Sequence, residues 1–190
     1  MSMKEAFDAF FEEMTQNWLQ KRGIPPQAPC NEKRRPTGLF LLETLNDKGY
    51  AQWSPKEQES KVDFKEIENK LGFSIHPQIK EFLSTYWFLP LDGIIHTTSG
   101  EVELRLSGLT MYTNIEERIK SSFNSEGTHY LTDHKYFLIG TFCSIGGDDS
   151  FLVQVNNDTG EVTAVEVMDK VSIKLANSIE ELLRNMKGIW

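Results

Sequence analysis

The chain is poor in cysteine, in long apolar runs and, over two stretches, in positive charge. Cys30 and Cys143 are its only cysteines, 113 positions apart. No C-x-x-C or C-x-x-H spacing accompanies them, so neither redox chemistry nor structural zinc is indicated, and the two thiols read as free rather than bridged. No apolar run approaches the roughly 20 residues that span a bilayer. The opening stretch MSMKEAFDAFFEEM is acidic and amphipathic, unlike a basic-then-apolar signal sequence. The expectation is a cytoplasmic protein that reaches a membrane only through a partner.

Catalytic signatures are also missing. His76, His96, His129 and His134 share no metal-ligand spacing, and there is no P-loop, dinucleotide fingerprint or nucleophile elbow. Gly146-Gly147 is followed by Asp148-Asp149, which makes a phosphate cradle there electrostatically wrong. That acidic turn lacks the further acids of a calcium loop. No cofactor, no metal and no enzymatic activity are expected.

What is present is negative charge, unevenly spread. The formal net charge is −8 over 190 residues. Residues 1–80 hold 12 acids and 12 bases, whereas residues 81–190 hold 16 acids and 8 bases. Two windows, 81–104 and 136–169, together carry ten acids and no lysine or arginine. A face of one sign repels nucleic acid and anionic lipid and attracts a basic protein segment. The competing reading is a solvated acidic surface that keeps the protein soluble.

The organising stretch is 136–169, which reads as strand, turn, strand, turn, strand. Apolar or β-rich runs at 137–142, 151–155 and 162–167 are separated by Gly146-Gly147-Asp148-Asp149 and by Asn157-Asp158-Thr159-Gly160. Ahead of it, Ser2 and Glu5 form a capping box for a first helix that ends at Gly23, with Phe7, Phe10, Phe11, Met14 and Trp18 at helical spacing. Residues 24–37 read as a proline-rich loop whose Lys33-Arg34-Arg35 could partly cover the acidic face. Strands follow at 38–44 and 50–53, then a polar stretch at 54–61. Asp63 and Glu66 open a helix closed by Gly72. Pro77 opens another, striped by Ile79, Phe82, Leu83 and Tyr86 and ended by Pro90 and Gly93.

A hairpin is expected from 94–97 and 101–106 around Ser99-Gly100. Its second strand alternates Val102, Leu104, Leu106 with Glu101, Glu103, Arg105, which sets carboxylates on a solvent-facing surface. Thr113 and Glu116 open a helix carrying Ile115, Ile119 and Phe123, and a polar connection runs over 124–135. After a strand or loop at 169–177, Ser178 and Glu181 cap a final helix with Ile179, Leu182, Leu183 and Met186 inward. Strands cluster and join through hairpins, so the fold class is α+β: a mainly antiparallel sheet with helices packed on one side.

The pieces YAQWSP, FKEIENKLGFSIHPQIKEFLSTYW, GEVELRLSGL, FLIGTF, NDTGEV and NSIEELLRNMKGIW, together with the opening helix and its Trp18, give the chain a resemblance to the Syd family of bacterial SecY-interacting proteins. More broadly it is similar to the SUKH superfamily, which includes yeast cell-wall regulators and bacterial immunity proteins. The resemblance implies a single domain over 1–190, with the N-terminal helix at 1–23 and the sheet-and-helix core at 38–190. It implies binding to basic cytosolic loops of the SecY channel through a concave acidic surface, at the cytoplasmic side of the inner membrane. The role implied is that of a regulator or quality check of the translocase, favouring uncomplexed SecY, with no enzymatic activity. On such a surface the aligned acids are Asp92, Glu101, Glu103, Asp148, Asp149, Glu161 and Glu166. The alternative is a SUKH-type immunity protein that neutralises a basic toxin; length and the added N-terminal helix favour the Syd reading.

Overall fold

The computed structural model describes residues 2–30, 38–59, 62–97, 100–123, 134–144, 150–166 and 171–189. Helix α1 (Met3–Arg22) leads to strand β1 (Gln27–Pro29), β2 (Phe40–Leu41), a single 3-10 turn (Leu42–Thr44), β3 (Tyr50–Trp53) and β4 (Lys56–Glu57). Helices α2 (Phe64–Leu71) and α3 (Pro77–Thr85) follow, then β5 (Tyr86–Trp87), β6 (Leu91–Thr97) and β7 (Gly100–Leu106). The chain continues through α4 (Ile115–Phe123), β8 (Tyr136–Ser144), β9 (Ser150–Asn156), β10 (Val162–Glu166), β11 (Ser172–Ala176), α5 (Ile179–Asn185) and β12 (Lys187–Gly188).

The main sheet has seven strands in the order β11-β10-β9-β8-β7-β6-β12, each pairing antiparallel with the next. A second sheet, β1-β3-β2, and a β4-β5 pair complete the strands. One face of the main sheet supplies Leu91, Ile95, Val102, Leu104, Phe137, Val153, Val155, Val162 and Ala164 to the core, and α1, α3, α4 and α5 bury apolar side chains in the same cluster. The expected α+β architecture with helices on one side of an antiparallel sheet is therefore the one observed.

Local chemistry explains the helices. Ser2 Oγ accepts from the Glu5 amide while Glu5 Oε2 accepts from the Ser2 amide, the reciprocal box that satisfies two orphan donors. Asp63 and Ser178 accept from the amides three residues on, and Gly23 and Gly72 close α1 and α2 in the left-handed conformation. In α4 the cap is Asn114, whose side chain accepts from the Glu117 amide, rather than Thr113. Thr113 instead accepts from the Thr110 amide in the preceding turn. The cap of α3 is His76, whose Nδ1 accepts from the Gln78 amide. His96 lies 3.4 Å from Glu101, and His134 stacks on Phe73 at 4.4 Å.

Helix α1 docks through rings. Phe7 is fully buried and lies 5.3–5.8 Å from the rings of Phe11, Phe82, Tyr86 and Phe88. At the rim of this cluster the Tyr86 hydroxyl donates to Asp8 (2.5 Å), and Lys4 donates to both Asp8 (2.9 Å) and Tyr86 (3.1 Å). The Tyr86 hydroxyl is the leading cause that holds the Asp8 carboxyl below its usual range, with the Lys4 ammonium adding to it.

Several short strands depart from the expectations. β1 lies inside the stretch read as loop, and β4 inside the polar stretch, because both find a partner: β1 pairs with β3 and β4 with β5. Tyr86, expected to end a helical stripe, is extended and begins β5. β2 stops after two residues at the 3-10 turn. Gly93 does not end a helix; it lies within β6, opposite Gly188 of β12. A Cβ on Gly93 would meet Met186 Cγ at 2.5 Å and the Lys187 carbonyl oxygen at 2.9 Å, so only glycine lets β12 close that edge. The basic cluster Lys33-Arg34-Arg35, the Gly146-Gly147 turn, Ser99 and most of the 124–135 connection lie outside the described residues.

Gly93→Ala is expected to destabilise the protein by about 1–3 kcal/mol, the usual range for overpacking, measured as a lower urea midpoint at unchanged m-value. Tyr86→Phe is expected to lose about 0.5–1 kcal/mol at neutral pH, toward the lower end for a bond whose acceptor is half exposed. Because folding lowers the Asp8 pKa, its contribution is complete above the ordinary carboxylate value of about 3.9 and is lost as pH falls through the folded-state value. The stability gap between wild type and Tyr86→Phe should therefore be full at pH 6 and shrink below about pH 4 in paired urea titrations.

Candidate acidic interface

Strand alternation and register bring the candidate acids onto a common face. On β6 the residues that alternate with the buried Leu91, Gly93 and Ile95 are Asp92, Ile94 and His96. On β7 those that alternate with Val102, Leu104 and Leu106 are Glu101, Glu103 and Arg105. The register sets Asp92 opposite Arg105, Ile94 opposite Glu103 and His96 opposite Glu101. This face of the β6–β7 hairpin is directed away from the core.

The charges on this face are largely paired. Arg105 donates twice to Asp92, from Nε at 2.5 Å and from Nη2 at 2.9 Å, a bidentate contact between facing strands. Glu101 lies beside His96. Glu161, two residues before Thr163 of β10, accepts from Lys174 of β11 at 2.6 Å. Following the ladder from Lys174 through Thr163, Gln154 and Leu138 places this pair on the same face as Glu103, three strands away. Three strands at roughly 4.8 Å and about six residues along the ladder at roughly 3.3 Å set Glu161 and Glu103 about 24 Å apart, at opposite ends of that face. The Glu103 side chain is exposed and makes no hydrogen bond or ion pair with any described residue.

Glu166 is on the other side. It pairs with Phe151, which pairs with Phe142, which pairs with the buried Leu104. Five positions separate it from Glu161, an odd number, so an unbroken strand directs the two side chains to opposite faces. Asp148 and Asp149 lie outside the described residues. The structure thus brings Asp92, Glu101, Glu103 and Glu161 to one face and sets Glu166 apart.

The face is less uniformly negative than the base-free windows suggest. Arg105 follows the first window by one residue and Lys174 the second by five, and both fold back onto acids inside the windows. Composition along the chain does not carry this information; cross-strand register does.

Next to Asp92, the sheet face meets a cavity of about 340 Å³ between the last turns of α1, the β1-β3-β2 sheet and the start of β6. Trp18, Pro26, Pro29, Phe40 and Trp53 contribute to its walls, and Asp92 and Arg105 line it as well. The helical spacing of Trp18 suggested packing onto the sheet. Its ring is half-buried and faces this opening, with the Arg22 guanidinium 5.4 Å from its centre. Among the described residues no group of three or more His, Cys, Asp or Glu side chains could hold a metal ion, and no helix is long and apolar enough to cross a membrane.

Comparison with known proteins agrees with this architecture over nearly the whole chain. A family model described as Syd protein (SUKH-2) matches residues 4–188. Protein Syd of Shewanella frigidimarina is 25% identical over 189 residues, covering 98% of this chain and 82% of that protein. Protein Syd of Hahella chejuensis is 25% identical over 186 residues, covering 94% and 92% respectively. Protein Syd of Alteromonas mediterranea is 27% identical over 148 residues, 77% of each. With 185 consecutive residues matched, from 4 to 188, this chain belongs to the Syd (SUKH-2) family.

Proposed function

We propose that this protein binds basic cytosolic segments of the SecY translocation channel through the outer face of β6 and β7, and regulates the translocase by occupying them. The role is binding, not catalysis. Family membership over residues 4–188 supports the partner. The observation that carries the interface is Glu103: an exposed carboxylate without a partner among the described residues, with Asp92 and Glu101 on the same face of the same hairpin and Glu161 at the far end of that face. Association with the cytoplasmic side of the inner membrane would follow from holding the channel.

The physical logic is one of steering and exchange. An incoming lysine or arginine gains most at Glu103, because there it has no described side chain to displace. At Asp92 or Glu161 it must displace Arg105 or Lys174, so the gain is the small difference between two ion pairs. Each exposed pair is worth roughly 0–1 kcal/mol, and the summed field of a protein with net charge −8 adds attraction at longer range. Occupied loops are then closed to other cytosolic ligands of the channel.

The test is co-purification with detergent-solubilised SecY complex at low salt and at about 1 M salt, where the Debye length is near 3 Å. Binding is expected at low salt and lost at high salt. Glu103→Lys is expected to weaken it at least tenfold. Glu166→Lys, an identical change in net charge on the opposite face, should leave it within twofold, with both variants folded by circular dichroism. Binding that persists in about 1 M salt, or that responds equally to the two variants, would overturn the acidic-face reading.

A further inference from the structure

We infer that the cavity beside Asp92 is an anchor site for one large, uncharged apolar side chain. That side chain is carried by the same basic segment that engages the acidic face, and it lies two residues from a lysine or arginine that reaches Glu103. The inference rests on the reading of the acidic face given above.

Three observations lead to it. The cavity is about 340 Å³, within the ordinary range for sites that enclose a ligand group. Its walls include two indoles, a phenyl ring and proline rings, which are rigid and apolar and lose little entropy when covered. Its charged wall is one bidentate pair. Bound to each other, Arg105 and Asp92 form a pair of no net charge that offers little net attraction to an ion of either sign. A pocket with both signs locked together favours a neutral occupant.

Register then fixes what must accompany the anchor. Asp92 and Arg105 belong at once to the cavity and to the acidic face. Glu103 lies one same-face step before Arg105, about 7 Å along the strand. Two residues of an extended peptide cover the same distance. A segment with its apolar side chain in the cavity therefore sets its second neighbour over Glu103, giving the pattern apolar-x-Lys/Arg. Such an anchor supplies what exposed ion pairs lack: burial of one Phe- or Leu-sized side chain is worth roughly 10- to 100-fold in affinity.

The experiment uses fluorescein-labelled peptides and full-length protein in anisotropy titrations at low salt. The probe is Gly-Arg-Ser-Lys-Phe-Ser-Lys-Gly, compared with its Phe→Ala version and with a version in which the second serine and the lysine after it are exchanged, which leaves no basic residue two positions from the phenylalanine. Wild type should bind the first at least tenfold more tightly than the second, and more tightly than the third. Ala28→Trp, which fills the cavity from β1, should erase the preference for phenylalanine while leaving the alanine peptide's affinity within twofold. Trp18→Ala, which removes one wall from the partly exposed side of α1, should reduce the preference and serves if the first variant does not fold. Equal binding of the phenylalanine and alanine peptides would overturn the anchor site and leave the acidic face standing. A preference that survives both variants would overturn the location. No binding of any peptide by folded wild type would overturn both readings.

Discussion

Strict alternation along β6 and β7 is the constraint on which the rest depends. Leu91, Ile95, Val102, Leu104 and Leu106 must all enter the core for α1, α3 and α5 to have a surface to cover. Once they do, Asp92, His96, Glu101, Glu103 and Arg105 have no choice of side. The side on which these charged residues stand is thus a by-product of core burial, and their spacing is as rigid as the ladder beneath them. A one-residue slip between these strands would bury the charges and expose the leucines, a change far more costly than any pairing on the surface could offset.

The helices reinforce that register from behind. Phe7 joins α1 to α3 and β5 in one aromatic cluster, and the Lys4–Asp8–Tyr86 network closes its rim. At the other end of the sheet, the turn before Glu161 is tied to the entry of α3: the His76 amide donates to Asn157 Oδ1, and Asn157 Nδ2 donates to the Ser74 carbonyl. Gly160, at φ 78°, packs so closely that a Cβ would lie 2.6 Å from His76 Cε1. The β9–β10 turn just ahead of Glu161 is therefore fastened to the helical layer at the entry of α3.

Features decided within a few residues were legible in the sequence. The capping pairs at Ser2, Asp63 and Ser178, the glycine stops at Gly23 and Gly72, and the alternation of 101–106 each depend on neighbours along the chain, and each stands where the pattern placed it. Features decided by distant partners were not. β1, β4, β5 and β12 have two or three residues each, too few to show a period, and exist because another strand accepts their hydrogen bonds. Gly93 looked like a stop because its reason, Met186, lies 93 positions away. The same limit applied to the site. Its acids were visible one by one, but their neutralisation by Arg105 and Lys174, the turning away of Glu166 and the cavity beneath Trp18 are products of register and packing.

The seal that β12 makes on β6 bears on how the chain matures. Lys187 and Gly188 cover an edge laid down by residues 93–94, and Asn17 of α1 donates to the Gly188 carbonyl. During synthesis β6 and β7 can form their hairpin long before residue 187 leaves the ribosome, and for all of that interval the outer edge of β6 presents unpaired amides and carbonyls. Its hydrogen bonds can be completed only by a contact that spans most of the sequence, the kind of closure that slows folding. The strand that carries Asp92 is thus the one whose edge stays open until the last two-residue strand pairs with it.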